Sequence, residues 1–160
     1  MIPELENLLS QPGKKILFVG IGNVLKSDDG AGVFISRRIK PTGRISALTV
    51  EMSIENYIGK INSLQPDILI IIDCADMGEP PGTIRLLPLE RIRDLTTNTH
   101  NISLKRVSEF FSSQIYILGI QPLSVAFGEK ISYIVARSAR NIIRQINNYK
   151  TIKRGGQHGS

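Results

Sequence analysis

The sequence predicts a single-domain α/β protein, a three-layer α/β/α sandwich around a mainly parallel twisted sheet. Three observations predict it. Short apolar runs alternate with stretches whose apolar residues recur at helical spacing, the order that builds a sheet covered by helices. The run Ile68-Leu69-Ile70-Ile71-Ile72 is continuous and rich in β-branched residues. A central parallel strand, buried on both faces, has that character. Finally, the glycine-rich stretch Gly20 to Val33 follows the apolar run Ile16-Leu17-Phe18-Val19 and leads into a helical pattern. It is the first strand-to-helix loop, and such a loop lies at the carboxyl edge of an open sheet, where ligands bind.

The elements follow in order. Residues 2–11 form a short amphipathic lead-in, read as one helix and ended by Pro12-Gly13. Strand one covers Lys15 to Val19. Helix one runs from Asp29 to Ile39 and stops before Pro41-Thr42-Gly43. Ile45 to Val50 is strand two, with Glu51 at its end. Ile54 to Leu64 is helix two, since Ile54, Tyr57/Ile58, Ile61 and Leu64 recur at helical spacing; Pro66-Asp67 breaks it. The central strand, Ile68 to Ile72, ends in Asp73-Cys74-Ala75-Asp76. After a loop of Gly78, Pro80-Pro81 and Gly82, Thr83 to Leu87 reads as an edge strand, because the return is too short for a crossover helix.

Leu89 to Leu95 reads as a short helix. Thr96-Thr97-Asn98-Thr99-His100-Asn101 is polar and aperiodic, and opens a helical pattern through Ile102, Leu104, Val107 and Phe110-Phe111. Ile115 to Ile120 is a strand closed by Gln121-Pro122. Lys130 to Lys150 is the last helix, with Ile131, Ile134/Val135, Ile142 and Ile146 inward and Arg137, Arg140 and Arg144 outward. That basic stripe reads as a solvated face. Residues 1–150 are thus one domain. Residues 151–160 are a polar, unpatterned tail, expected to be disordered, and His158 in it is set aside from the site.

Composition narrows the function. A chain of 160 residues can bury a real core, and 41% hydrophobic with 21% charged residues is ordinary for a globular protein. The net charge of +6 permits an acidic partner. With no tryptophan and no arginine-rich tract interleaved with aromatics, nucleic acid is not expected. Cys74 is the only cysteine, so neither a disulfide framework nor a thiolate metal cluster is available. No apolar stretch is long enough to span a bilayer, and the first residues lack a charged n-region and an apolar h-region. A cytoplasmic location, away from membranes, is the expectation.

The chemistry gathers at the carboxyl edge. Asp28 and Asp29 follow strand one, Glu51 follows strand two, Asp73 and Asp76 follow the central strand, and His100 lies in a loop that could cross the same edge. A dinucleotide fingerprint needs a third glycine where Leu25 stands, and two aspartates at a helix mouth repel phosphate. The loop therefore suits a cation or proton transfer. Two carboxylates and an imidazole suit a borderline divalent metal such as zinc or nickel. The same groups without metal could divide acid and base roles, since neighbouring carboxylates push their pKa values apart.

Each residue also has a plainer reading. Asp28 or Asp29 could cap the helix. Asp73 could accept a backbone amide at a strand end, His100 could be a polar helix-start residue, and Cys74 could be inert packing. Neither a G-x-S-x-G elbow nor an H-E-x-x-H motif is present. The residues by themselves define an α/β protein with an acidic carboxyl-edge site suited to a metal. They leave open a hydrolase with its own divalent metal and a non-catalytic nucleotide-binding module.

Four co-ordered motifs go further. They are Gly20-Ile-Gly-Asn-Val-Leu-Lys-Ser-Asp-Asp-Gly-Ala-Gly; Asp73-Cys-Ala-Asp-Met-Gly with Pro81-Gly82-Thr83-Ile84-Arg85; Thr99-His100-Asn101; and Leu118-Gly119-Ile120-Gln121-Pro122. Together they span most of residues 15 to 145. In them the chain resembles the hydrogenase maturation proteases, most closely the group that processes hydrogenase 3-type large subunits. The resemblance implies an endopeptidase that removes a C-terminal extension from a nickel–iron hydrogenase large-subunit precursor after nickel insertion. It carries metal contact over to Asp29, Asp73 and His100. Asp29 and Asp73 are the catalytic candidates, either beside a nickel that positions the scissile bond or, as the rival, with one carboxylate as general base in the manner of an aspartyl protease. Nickel is expected to arrive with the precursor, with no permanently bound cofactor, and the protein is expected to act as a monomer. Ser27, and Met52-Ser53 after Glu51, stand where relatives often have glycine. The second departure leaves Glu51 without an assigned role.

Overall fold

The central strand shows how the layers form. β3 (Ile68–Cys74) lies in the middle of a five-stranded sheet. Ile68, Ile70 and Ile72 enter one apolar cluster, Leu69 and Ile71 another, and all five are buried. A strand apolar on both alternating faces requires cover on both sides. The computed structural model describes residues 1–51, 53–94 and 100–157, with the side chains of 93–94, 100–103 and 150–157 outside that description.

β1 (Ile16–Ile21) runs parallel to β3, and β2 (Ile45–Glu51) runs parallel to β1 beyond it. On the other side β5 (Gln114–Ile120) runs parallel to β3, with Asp73 opposite Gly119. β4 (Ile84–Pro88) pairs antiparallel with β5 and forms the edge, giving the order β2-β1-β3-β5-β4. The antiparallel edge strand follows from its short return, as the sequence requires.

One face is covered by α1 (Pro3–Leu9), α2 (Ala31–Ser36) and α5 (Tyr133–Gln157). Leu5, Leu9, Ile35, Val135, Ile142 and Ile146 pack there against Phe18 and Ile70. The other face is covered by two 3-10 turns, Ile54–Tyr57 and Leu89–Asp94, and by α3 (Ile58–Leu64) and α4 (His100–Ser108). Ile54, Ile61, Ile92, Leu104 and Val107 pack there against Leu17, Val19, Leu69 and Ile71. The domain is the expected sandwich. Among the described residues no helix is long and apolar enough to cross a membrane.

Several boundaries differ from the sequence pattern. Helix one is a 3-10 turn, Ser27–Gly30, followed by α2, which stops at Ser36 rather than Ile39. Beyond it the chain bonds to α5 instead: Asn147 accepts from the Lys40 N–H and donates to the Arg38 carbonyl. Ile134 is not inward but 44% exposed; Val135, Ala139, Ile142 and Ile146 make the buried row. Arg137, Arg140 and Arg144 are exposed, as expected. The last helix continues to Gln157, so helical backbone replaces the expected unpatterned tail over 151–157; His158 and the rest of the tail lie outside the described residues. Thr96 to Thr99 and Met52 also lie outside them.

Two glycines set the height of α2 above the sheet. A Cβ on Gly32 would run into the main-chain oxygens of Ile72 and Ile21, and one on Gly20 into Gly32 and Ser36. Only glycine allows this approach. The start of α2 therefore rests on the carboxyl ends of β1 and β3, and the acid pair just before it is delivered to that edge.

Candidate active site

The first loop turns sharply at Gly22, whose φ of 153° and closeness to the Asp29 carbonyl exclude a side chain. Here the two neighbouring aspartates take different roles. Asp28 is fully buried. Its Oδ1 accepts from the Ser132 N–H at 2.7 Å, and its Oδ2 accepts from Leu123 N–H at 2.9 Å, Ser124 N–H at 3.2 Å and Ser132 Oγ at 2.9 Å. A carboxylate has about four acceptor sites, and all are taken. Asp28 is a staple between the first loop and residues 123–132.

Asp29 is only half-buried, and among the described residues its carboxylate accepts one hydrogen bond, from the Asn23 N–H at 3.0 Å. Neither acid caps a helix: the 3-10 turn and α2 both lack a side-chain cap bond. The capping reading is therefore replaced by a staple at 28 and an available carboxylate at 29.

Asp73 sits at the end of β3 and continues the alternation of Leu69 and Ile71. Burial, and then the charge of Asp29, raise its pKa from 3.8 to about 7, against the pull of the Cys74 N–H. The two carboxylates are thus close enough to repel. Asp73 exchanges a proton near neutrality, where general acid–base chemistry is most effective. Cys74 is different. Burial, with Asp29 and Asp73 adding repulsion, pushes its thiol far above the usual range. It stays a thiol, and the inert reading of Cys74 is the one its surroundings support.

The other acids are committed elsewhere. Glu51 adopts a left-handed backbone, φ 59°, at a register shift between β1 and β2. Its carboxylate faces Arg37 at 3.3 Å, both side chains more than half exposed, a pair worth ~0–1 kcal/mol. Asp76 is exposed, bonded to Gly78 N–H and Gln121 Nε2, and these bonds lower its pKa. Gln121 is the organiser of that loop. It is buried, and its Oε1 accepts from Met77 N–H at 2.6 Å and Glu79 N–H at 3.4 Å. Ser27, one of the departures from glycine, has φ 52° and donates its Oγ to the Ala126 carbonyl at 2.7 Å. The hydroxyl bond offsets a backbone conformation that glycine would adopt freely.

The structure thus leaves Asp29 and Asp73 within electrostatic reach of each other and commits Asp28, Glu51 and Asp76 to bonds elsewhere. His100 begins α4, on the face of the sheet that Asp73 shares; its side chain lies outside the described residues. Among the described residues no group of three or more His, Cys, Asp and Glu side chains could hold a metal ion. The roles of Asp28 and Gln121 carry no periodic signal, since their partners lie 95–104 and 42–45 residues away in sequence.

An α/β/α sandwich with two neighbouring carboxylates at the carboxyl edge of its sheet defines the class of protein, an α/β domain with an acidic site at that edge. Comparison with known proteins gives the family. A family model described as HycI, hydrogenase maturation protease, matches residues 49–149. A Methanocaldococcus jannaschii protein, provisionally named a hydrogenase maturation protease, is 30% identical over 131 residues, 71% of this chain and 76% of that one. The hydrogenase 3 maturation protease of Escherichia coli K12 is 27% identical over 136 residues, 81% of this chain and 87% of its own. The crystal structure of a NiFe hydrogenase maturation protease, HycI from Thermococcus kodakarensis KOD1, superposes with a TM-score of 0.78 at 27% identity, covering 91% of this chain and 97% of that one. The chain belongs to the hydrogenase maturation protease family, and is an endopeptidase of it.

Proposed function

We propose that this endopeptidase removes the C-terminal extension of a nickel–iron hydrogenase large-subunit precursor, and that it recognises nickel already held by the precursor's cysteine thiolates. The observation that carries the reading is the pair Asp29 and Asp73, two carboxylates in repulsion at the carboxyl edge of the sheet. An arriving cation replaces that repulsion with attraction and lets Asp73 release its proton. Asp29, Asp73 and His100 are the donors proposed to meet it. Two carboxylates and an imidazole suit a borderline cation and hold it less tightly than thiolates, so nickel stays with the precursor.

Seating the nickel positions the scissile bond beside the acid pair, which is catalysis by proximity. Water adds to the carbonyl carbon, the C–N bond breaks, and a proton of that water leaves with the amine. A second version, supported by the near-neutral pKa of Asp73, makes that carboxylate the general base as in an aspartyl protease. The single cysteine fits action in the reducing cytoplasm, and the endopeptidase is proposed to work there as a monomer.

The test mixes the purified protein with nickel-loaded and nickel-free precursor and follows loss of the extension by mass spectrometry. Cleavage of the loaded form alone is the expected result. Equal cleavage of both rejects nickel recognition and keeps the protease. Cleavage of neither rejects the proposed client. Replacing His100 with alanine is expected to weaken nickel-dependent cleavage more than precursor binding.

A further inference from the structure

Beside the acid pair lies a surface that the chemistry above does not use. Leu25, Leu123, Val125 and Phe127 expose 44%, 61%, 48% and 87% of their area, and Val24 adjoins them. They belong to two loops that are fastened to each other. Ser27 N–H donates to Gly128 O at 2.6 Å, Gly128 N–H to Leu25 O at 2.8 Å, and Asp28 N–H to Ser124 O at 3.1 Å. The Asp28 staple closes the far side.

Loose loops fold apolar side chains back onto the protein, whereas these are held outward by main-chain bonds. A grouped, exposed apolar surface marks an interaction site, and rigidity beforehand lowers the entropic cost of binding. The surface also has relief: a cavity of about 190 Å³ beside it is lined by Val24, Val33, Phe34 and Ile131, together with Arg37, Arg38 and Glu129.

We propose that this rim grips an apolar, extended segment of the precursor polypeptide next to its cleavage site. The proposal rests on the endopeptidase reading. The occupant follows from position: the rim is continuous in sequence with Asp29 and is bonded to its neighbour Asp28, so it adjoins a polypeptide whose peptide bond reaches Asp29. The segment is apolar because the exposed side chains are, and extended because the rim is formed by backbone-paired loops rather than by a helix groove.

The experiment separates binding from cleavage. Binding is read with nickel-free precursor by interferometry, and KM and kcat with nickel-loaded precursor. Phe127→Ser is expected to weaken binding and raise KM about tenfold or more while leaving kcat within about twofold, the pattern of a lost docking contact. Phe127→Leu is expected to retain most of the affinity. Because Phe127 packs on little of its own chain, both variants are expected to melt with the wild type, which is checked in the same samples. Unchanged binding and KM in a folded Phe127→Ser protein overturn the proposal. A wild-type dimer that Phe127→Ser converts to monomer, read by light scattering, also overturns it, by making a second copy the occupant. Wild-type protein that binds but does not cleave rejects the endopeptidase reading, and loss of that binding in Phe127→Ser still supports the rim.

Discussion

β3 is bounded by two aspartates, Asp67 just before it and Asp73 near its end, and the two ends of the sheet treat them in opposite ways. At the amino end the Asp67 carboxylate accepts from the Lys15 N–H at 2.8 Å. Its own N–H donates to the Lys15 carbonyl, and its carbonyl accepts from Gln114. This end is sealed by short-range bonds to the strands on either side. At the carboxyl end Asp73 meets another acid, and burial makes its charge costly. One end is relaxed; the other holds unfavourable electrostatics that protonation of Asp73 relieves. Polar groups that are fully paired hold a fold together, while those left under-compensated are free to act.

The largest expected effect breaks this contrast at its working end. Asp73→Asn keeps the shape and removes the titrating proton, and is expected to slow precursor cleavage by about a hundredfold or more. Asp29→Asn is expected to do the same. Mass spectrometry of the precursor measures both, and near wild-type rates in both variants would reject either version of the chemistry.

Next comes the staple. Asp28→Ala leaves three backbone amides and the Ser132 hydroxyl without their acceptor. It is expected to lower stability by ~3 kcal/mol, read from urea unfolding, and to reduce cleavage by freeing residues 123–132.

The third sharpens the contrast through pH. The folded pKa of Asp73 is about 7 against 3.8 in an ordinary setting, so the folded state binds the extra proton between those values. Its contribution is therefore full below pH 3.8 and is lost as pH rises through about 7. Asp73→Asn does not titrate. The melting temperature of that variant is expected to gain on wild type as pH climbs from 4 to 8, by a few kcal/mol at most in equivalent stability. A constant gap would deny that Asp73 carries this burden. The smallest effect is at the sealed end: Asp67→Ala is expected to lose ~1 kcal/mol with cleavage unchanged.

The sequence pattern reached the layers and the working edge for a definite reason. The unbroken apolar run Ile68 to Ile72 reports that both faces are covered, and the glycine-rich stretch after strand one reports a loop at the carboxyl edge. An acid directly after five apolar residues marks Asp73. What pattern could not separate was Asp28 from Asp29, since adjacent identical side chains differ only in what the fold brings to them. The donors for Asp28 come from Leu123, Ser124 and Ser132, and no local periodicity encodes that meeting. Glu51, which the sequence left without a role, is placed by a similar cause: the strand irregularity at its own position turns it toward Arg37. The broken first helix also depends on a distant residue, Asn147, for the bonds that replace its last turn.

One modest contact has a consequence for how the molecule is made. The Ile2 N–H donates to Gln145 Oε1, and Gln145 Nε2 donates back to the Ile2 carbonyl, across 143 positions of sequence. α1 buries Leu5, Leu8 and Leu9 in the same cluster as α5. On the ribosome the amino end emerges first and waits for its partner. The three leucines therefore lack their α5 cover until nearly all of the domain has been synthesised. A chain stalled before α5 would display an apolar helix to whatever binds nascent polypeptides, and the arrival of Gln145 is the event that withdraws it.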